Sequence, residues 1–197
     1  MAGSKIQRID SAGSKANELR KALASLGRRL DDGDQSELLV WAIPGALACA
    51  HRPLRHHPKF GGSRRDLPPE AVGEVRDWVA RIKGYGIRAI ISLMHPKELH
   101  HYAQLDLGAN DLLDFYRRAD FKVRHIPWDD PAHRPTSERA SFTEELARVG
   151  REALAAFDAL PKPSLLHCSA GIDRSSPVAA FIFQMRSASP DFSRICR

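Results

Sequence analysis

The sequence predicts an α/β domain, with a central, mostly parallel β-sheet flanked by helices. Two observations lead there. Short apolar and β-branched runs alternate with longer stretches whose apolar residues recur at helical spacing, the order of successive βα units. A chain of 197 residues, 43% hydrophobic and 27% charged, also has the material for one soluble domain with a substantial core plus an appendage.

The first residues, 1–15, are polar and rich in Gly and Ser and read as a disordered lead-in. Leu19, Leu23, Leu26 and Leu30 then share one face of a basic amphipathic helix over 16–30, expected to dock on the domain. Residues 1–35 thus form an N-terminal extension and 36–197 the main domain. LLVWAI (38–43) is a first strand, and Pro44-Gly45 turns the chain into a second, ALACA. After the polar loop HRPLRHHPKFGGSRRDLPP, Val72, Val75, Val79 and Ile82 mark a helix over 69–83, ended by Gly84 and Gly86. IRAIISLM (87–94) reads as a buried strand, DLLDFYRRA (111–119) as a helix and FKVRHI (121–126) as a strand. Beyond the loop PWDDPAHRP, Phe142, Leu146, Val149, Ala153, Phe157 and Leu160 lie along one face of a long helix. Ser141 and Glu144 form a capping box if that helix starts there. PSLLH (163–167) is a short strand, and SSPVAAFIFQM (175–185) a helix apolar on nearly every side, hence buried.

Composition excludes several classes. No apolar run approaches the ~20 residues of a membrane span, and the N-terminus has no apolar segment like that of a secretory signal. Cys49, Cys168 and Cys196 make no disulfide framework and fit a reducing, cytoplasmic setting. The net charge of +6 favours anionic partners. The basic residues are scattered and not interleaved with aromatics, which argues against a nucleic-acid surface. Nine histidines follow no HExxH or CxxC pattern, so neither a metal nor another cofactor is expected.

The stretch that carries chemistry is 164-SLLHCSAGIDRSSPVAA-180. A Cys six positions before an Arg arises by chance in roughly one chain in ten. His167, Cys168, Gly171, Arg174 and Ser175 at fixed offsets between a strand and a helix are far rarer, on the order of one chain in tens of thousands. Each residue type has a physical reason. A thiol at a helix N-terminus beside a cation becomes a ready nucleophile. The backbone amides of Ser169, Ala170, Gly171, Ile172, Asp173 and Arg174 can converge on an anion if the loop curls round it. Gly171 permits the crowded curl, and Arg174 offers a planar fork for two phosphate oxygens. His167 can fix the loop by hydrogen bonds and favour the thiolate. Ser175 is placed to donate to the sulfur when it leaves. Ligands of open α/β sheets bind beyond the carboxyl ends of the strands, which is where this loop falls.

HCSAGIDRS matches without a gap the H-C-x5-R-[S/T] signature, and in this the chain resembles the cysteine-dependent protein tyrosine phosphatase superfamily. LLVWAIPGALACAHRP, GYGIRAIISL and FYRRADFKVRHIP are similar to that family's entry strands, central strand and approach to its acid loop. The resemblance covers roughly 38–197 and is nearest to the compact dual-specificity and atypical members. It implies the phosphatase fold, a cysteinyl-phosphate intermediate and phosphoprotein substrates, on tyrosine and, more broadly, on serine and threonine. HIPWDDPAHRP looks like the family's acid loop, often P-x-x-D, in which Pro127 selects Asp130 as proton donor with Asp129 the runner-up.

Two departures bear on substrate. Asp173 sets a carboxylate beside Arg174, as in some phosphatases of phosphoinositides or inositol phosphates, but those usually carry a Lys where this chain has Ile172. SASPDFSRICR looks like the start of the family's closing helix, short or truncated. The readings left open are therefore a phosphoprotein phosphatase, a phosphoinositide or inositol phosphate phosphatase, and a catalytically silent phosphate-binding module. His51, Arg52, His56, His57, Lys59, Arg64 and Arg65 form a basic loop that either lines the cleft or is exposed and flexible. Cys49 is expected in the core, with a disulfide to oxidised Cys168 as the alternative if the two are close.

Overall fold

The computed structural model describes residues 3–131 and 142–187. Within them, helix α1 (Gly3–Asp31) leads to strands β1 (Leu39–Ile43) and β2 (Leu47–Ala50). Helix α2 (Val72–Gly84), strand β3 (Ala89–Ser92), the one-turn helix α3 (Pro96–Leu99), helix α4 (Leu112–Arg118) and strand β4 (Lys122–His125) follow. Helix α5 (Phe142–Ala159), strand β5 (Ser164–His167) and helix α6 (Ser175–Ser187) complete the order. The protein is thus α/β, with a five-stranded sheet ordered β1-β2-β5-β3-β4. β1 and β2 form an antiparallel hairpin through Gly45, whose φ of 67° belongs to the left-handed region. All other pairs are parallel, with Leu166 of β5 beside Cys49 of β2 and Ile91 of β3.

With the right-handed crossovers that parallel strands take, this strand order sets α2 and α4 on one face of the sheet and α5 on the other. On the first face Trp78 of α2 meets Tyr116 of α4, ring centroids 6.3 Å apart. On the second, α6 packs against both α1 and α5. Gly150 permits the α5–α6 approach, since a Cβ there would lie 2.9 Å from the Phe181 ring.

The helix expected over 16–30 runs from Gly3 instead of following a disordered lead-in, and its four leucines are buried in the common core. A 3₁₀ turn, Pro69–Ala71, precedes α2 because Pro69 fixes a first turn that needs no amide donor. Asp111 caps α4, its Oδ1 accepting from the Asp114 amide at 2.7 Å. The strands are shorter than their apolar runs, whose outer residues continue into the loops. β4 is an edge strand, with Lys122 and Arg124 exposed. α6 is buried along Val178, Ala179 and Ile182, but Met185 is exposed, so the expectation of burial on nearly every side is too broad. Ser141 and the SASPDFSRICR tail from 188 onward lie outside the described residues.

Candidate active site

β2, β3, β4 and β5 end side by side, and the segments leaving them meet at the carboxyl edge of the sheet. β5 is central, so the Cys168 loop leaves the middle of that edge. Cys168, Ser169, Gly171, Arg174 and Ser175 are all buried; Ala170, Ile172 and Asp173 are half-buried.

The loop's carbonyls are tied outward. Ser169 O accepts from the Arg52 amide at 2.9 Å, Ala170 O from His51 Nδ1 at 2.7 Å, and Gly171 O from the Ser176 hydroxyl at 3.0 Å. Cys168 O lies 3.2 Å from His167 Nδ1. In a planar trans peptide the N–H of the next residue points opposite the carbonyl. Fixing these four carbonyls therefore turns the amides of Ser169, Ala170, Gly171 and Ile172 toward the other side of the loop. The Gly171 amide shows the result, pointing at Cys168 Sγ from 3.2 Å. Gly171 itself has φ of 70°, and a Cβ on it would come within 3.1 Å of Ala50 O. The curl requires glycine at this position.

Arg174 is fully buried and its guanidinium is held along one edge. Nη1 donates to Glu98 Oε2 (2.7 Å), Trp128 O (2.9 Å) and Leu93 O (3.2 Å), and Nη2 to Glu98 Oε1 (2.5 Å). Nε is buried with no acceptor among the described residues. That leaves the Nε–Nη2 edge to receive an oxyanion. Burial alone would lower the Arg174 pKa, but Cys168, Glu98 and Asp130 outweigh it and hold the group above its ordinary value. For Glu98, burial works to raise the pKa, yet Arg174 and the His95 amide bring it below the usual carboxylate range.

Asp130 Oδ2 lies 3.7 Å from Arg174 Nη2. Asp129 is exposed, and its Oδ1 accepts from the amide of Asp130 at 3.0 Å. One carboxylate of the WDD segment thus closes its own turn while the other faces the loop. Ser175 Oγ is buried and has no partner among the described residues. His167 is buried against Tyr116, ring centroids 5.8 Å apart, and burial lowers its pKa to about 4. It is neutral near pH 7 and acts on the loop through a hydrogen bond, not through charge.

The structure therefore brings Cys168, Arg174, Asp130, Ser175 and His167 together. It divides the basic loop: His51 and Arg52 are buried against the Cys168 loop, whereas Arg64 and Arg65 are exposed. Cys49 is a free, buried thiol on β2, raised by burial. Glu98 and Ser176 were not singled out from the sequence; His51 and Arg52 were, as part of the basic loop, but not as the groups that hold the carbonyls of Ser169 and Ala170. HPKEL carries one usable signal, a Pro at the start of a helix and a Glu closing a capping box with His95. That signal announces a helix start, not a partner for Arg174.

Among the described residues, no cluster of three or more His, Cys, Asp or Glu side chains could hold a metal ion, and no helix is long and apolar enough to cross a membrane. In comparison with known proteins, the chain matches no family model and no curated protein.

Proposed function

We propose that the protein is a cysteine-dependent phosphatase of the protein tyrosine phosphatase type, acting on phosphoproteins in a reducing, cytoplasmic setting. One observation carries the reading. The Gly171 amide points at the Cys168 thiol from 3.2 Å, the buried Arg174 at the other end of the same loop has Nε without an acceptor among the described residues, and the Asp130 carboxylate lies 3.7 Å from that arginine. A core cysteine needs none of these. The free thiols Cys49 and Cys168 suit the reducing setting.

In the reaction, the Cys168 thiolate attacks phosphorus and forms a P–S bond as the P–O bond to the substrate oxygen breaks. Asp130 gives a proton to the departing oxygen. Arg174 and the amides from Ser169 to Asp173 hold the three equatorial oxygens as charge spreads over them. Water then attacks the cysteinyl phosphate, Asp130 takes its proton, and inorganic phosphate leaves. The Ser175 hydroxyl donates to the departing sulfur.

The test is hydrolysis of an aryl phosphate in excess chelator. The wild type should turn over and trap a phosphocysteine on rapid acid quench, and Cys168→Ser should be inactive. Full activity in Cys168→Ser would overturn the mechanism. Tight phosphopeptide binding without turnover by the wild type would instead make this a binding module. Phosphopeptides and phosphoinositides assayed in parallel decide the substrate class; faster turnover of the lipids would replace the phosphoprotein reading.

A further inference from the structure

Two arginines are completely buried at the carboxyl edge of the sheet, and they are treated differently. Arg174 has the carboxylate of Glu98 across one edge and that of Asp130 nearby. Arg52 has only neutral oxygens. Its Nε donates to Ser169 Oγ (3.3 Å), Nη1 to the Tyr102 hydroxyl (3.1 Å) and Nη2 to Gly62 O (2.8 Å). Among the described residues no carboxylate lies within 4.0 Å of it. Tyr102 cannot act as its counter-ion, since burial raises the pKa of the phenol and its proton is committed to Pro53 O at 2.7 Å.

A guanidinium fully removed from water without an anion costs several kcal/mol. This one is anchored beside the thiol, bonded through both its amide and its side chain to Ser169, the residue after Cys168. A third arginine adds to the imbalance. Arg55 is half-buried with Nε unpartnered among the described residues, and its pKa is lowered by burial and by Arg52 and raised by Asp31 and Cys168. Glu98, hydrogen-bonded to Arg174, acts on Arg52 only through space, as Asp31 does on Arg55, so neither carboxylate closes onto the Arg52 guanidinium.

We propose that Arg52 is a second cation of the anion site: a positioning residue that holds the Ser169 corner of the loop and whose charge is balanced when a phosphate dianion occupies it. The proposal rests on the reading of the loop as a phosphate site. It adds that the charge standing behind the loop, at the end of β2, favours the dianion over the monoanion and over neutral sulfonyl or carbonyl groups of similar shape.

The experiment is calorimetric titration of the full chain with inorganic phosphate at pH 7.5, alongside aryl phosphate kinetics. Loss of one buried cation beside an anion site, at an effective dielectric near 20, is expected to cost roughly ten-fold or more in affinity. Arg52→Gln should weaken phosphate by about that factor and raise KM in parallel, with kcat falling much less. Arg52→Lys, which keeps the charge but cannot span Ser169, Tyr102 and Gly62 together, should recover most of the affinity. A folded Arg52→Gln with unchanged phosphate affinity overturns the proposal, as does an Arg52→Lys no better than Gln. Should Arg52→Gln fail to fold, Arg52→Lys alone decides: within about three-fold of wild type supports the charge role, and a loss beyond about ten-fold refutes it. A wild type that binds phosphate but hydrolyses nothing would sink the phosphatase reading and leave this one standing. A wild type that does not bind phosphate sinks both.

Discussion

Glu98 and Arg174, 76 residues apart in the chain, meet through two hydrogen bonds, Oε2 to Nη1 at 2.7 Å and Oε1 to Nη2 at 2.5 Å. The pair orients the guanidinium so that its remaining edge faces the Cys168 loop. Removing the carboxylate leaves Arg174 buried with carbonyl oxygens and the more distant Asp130. Glu98→Ala is expected to cost about 3–5 kcal/mol in urea unfolding, and about 100-fold in kcat/KM on aryl phosphate as the fork loses its aim. A loss under 1 kcal/mol would show that Arg174 is positioned by the Leu93 and Trp128 carbonyls alone.

The two aspartates of the WDD segment separate in the same assay. Asp130→Asn should lower kcat by about 10²–10⁴-fold with little change in KM, as expected for loss of a proton donor. Asp129→Asn removes a charge but keeps an oxygen that can accept from the Asp130 amide, and should stay within about three-fold of wild type. The opposite ranking would transfer the acid role to Asp129.

Gly171→Ala tests the curl. Its φ of 70° and the 3.1 Å approach to Ala50 O resist any side chain. A destabilisation of about 1–3 kcal/mol is expected, with phosphate affinity falling as the Gly171 amide turns away. A variant with wild-type melting and affinity would mean that the loop carries no such constraint.

Acid sensitivity follows from two buried histidines. Burial lowers His51 and His167 to about 4, against about 6.5 in the unfolded chain. Between those values the unfolded chain binds more protons, so folding stability is full above about pH 6.5 and falls as pH drops through 4. Each histidine contributes on the order of 3 kcal/mol to that loss. Urea midpoints at pH 7, 5.5 and 4.5 should decline in order; equal midpoints at pH 7 and 4.5 would contradict neutral burial.

Leu23 tests how far α1 belongs to the site. It is fully buried, and its Cδ2 would stand 3.4 Å from a Cβ on Gly171. Leu23→Ala should destabilise by about 2–5 kcal/mol through the cavity left behind the loop. A cost under 0.5 kcal/mol would show that the helix is only loosely seated.

What could be read in the chain and what could not divide along contact range. Cys168, Arg174 and Ser175 sit on one continuous strand–loop–helix, so spacing and residue type suffice to bring them together. Asp130 was reachable only through the resemblance, whose acid loop often reads P-x-x-D. Glu98, His51 and Arg52 lie on loops leaving other strands, and only the strand order, with β5 between β2 and β3, sets them against the Cys168 loop. Alternating elements announce an α/β sheet without announcing that order. The two serines show the same limit at short range. Ser175 and Ser176 are equivalent as letters, yet one hydroxyl binds Gly171 O and the other is left unpartnered among the described residues.

The tethers on Ser169 and Ala170 come from residues 117 and 119 positions earlier. No shorter fragment of the chain contains both the loop and the groups that turn its amides inward. During synthesis the cysteine emerges more than a hundred residues after its clamps, and the site exists only once β5 has slotted between β2 and β3. Loop closure over that separation is slow relative to local helix formation. Activity should therefore be the last property to return on refolding, lagging helical circular dichroism and coinciding with burial of Trp128, whose carbonyl receives Arg174. Turnover regained together with the first helical signal would show that the loop shapes itself.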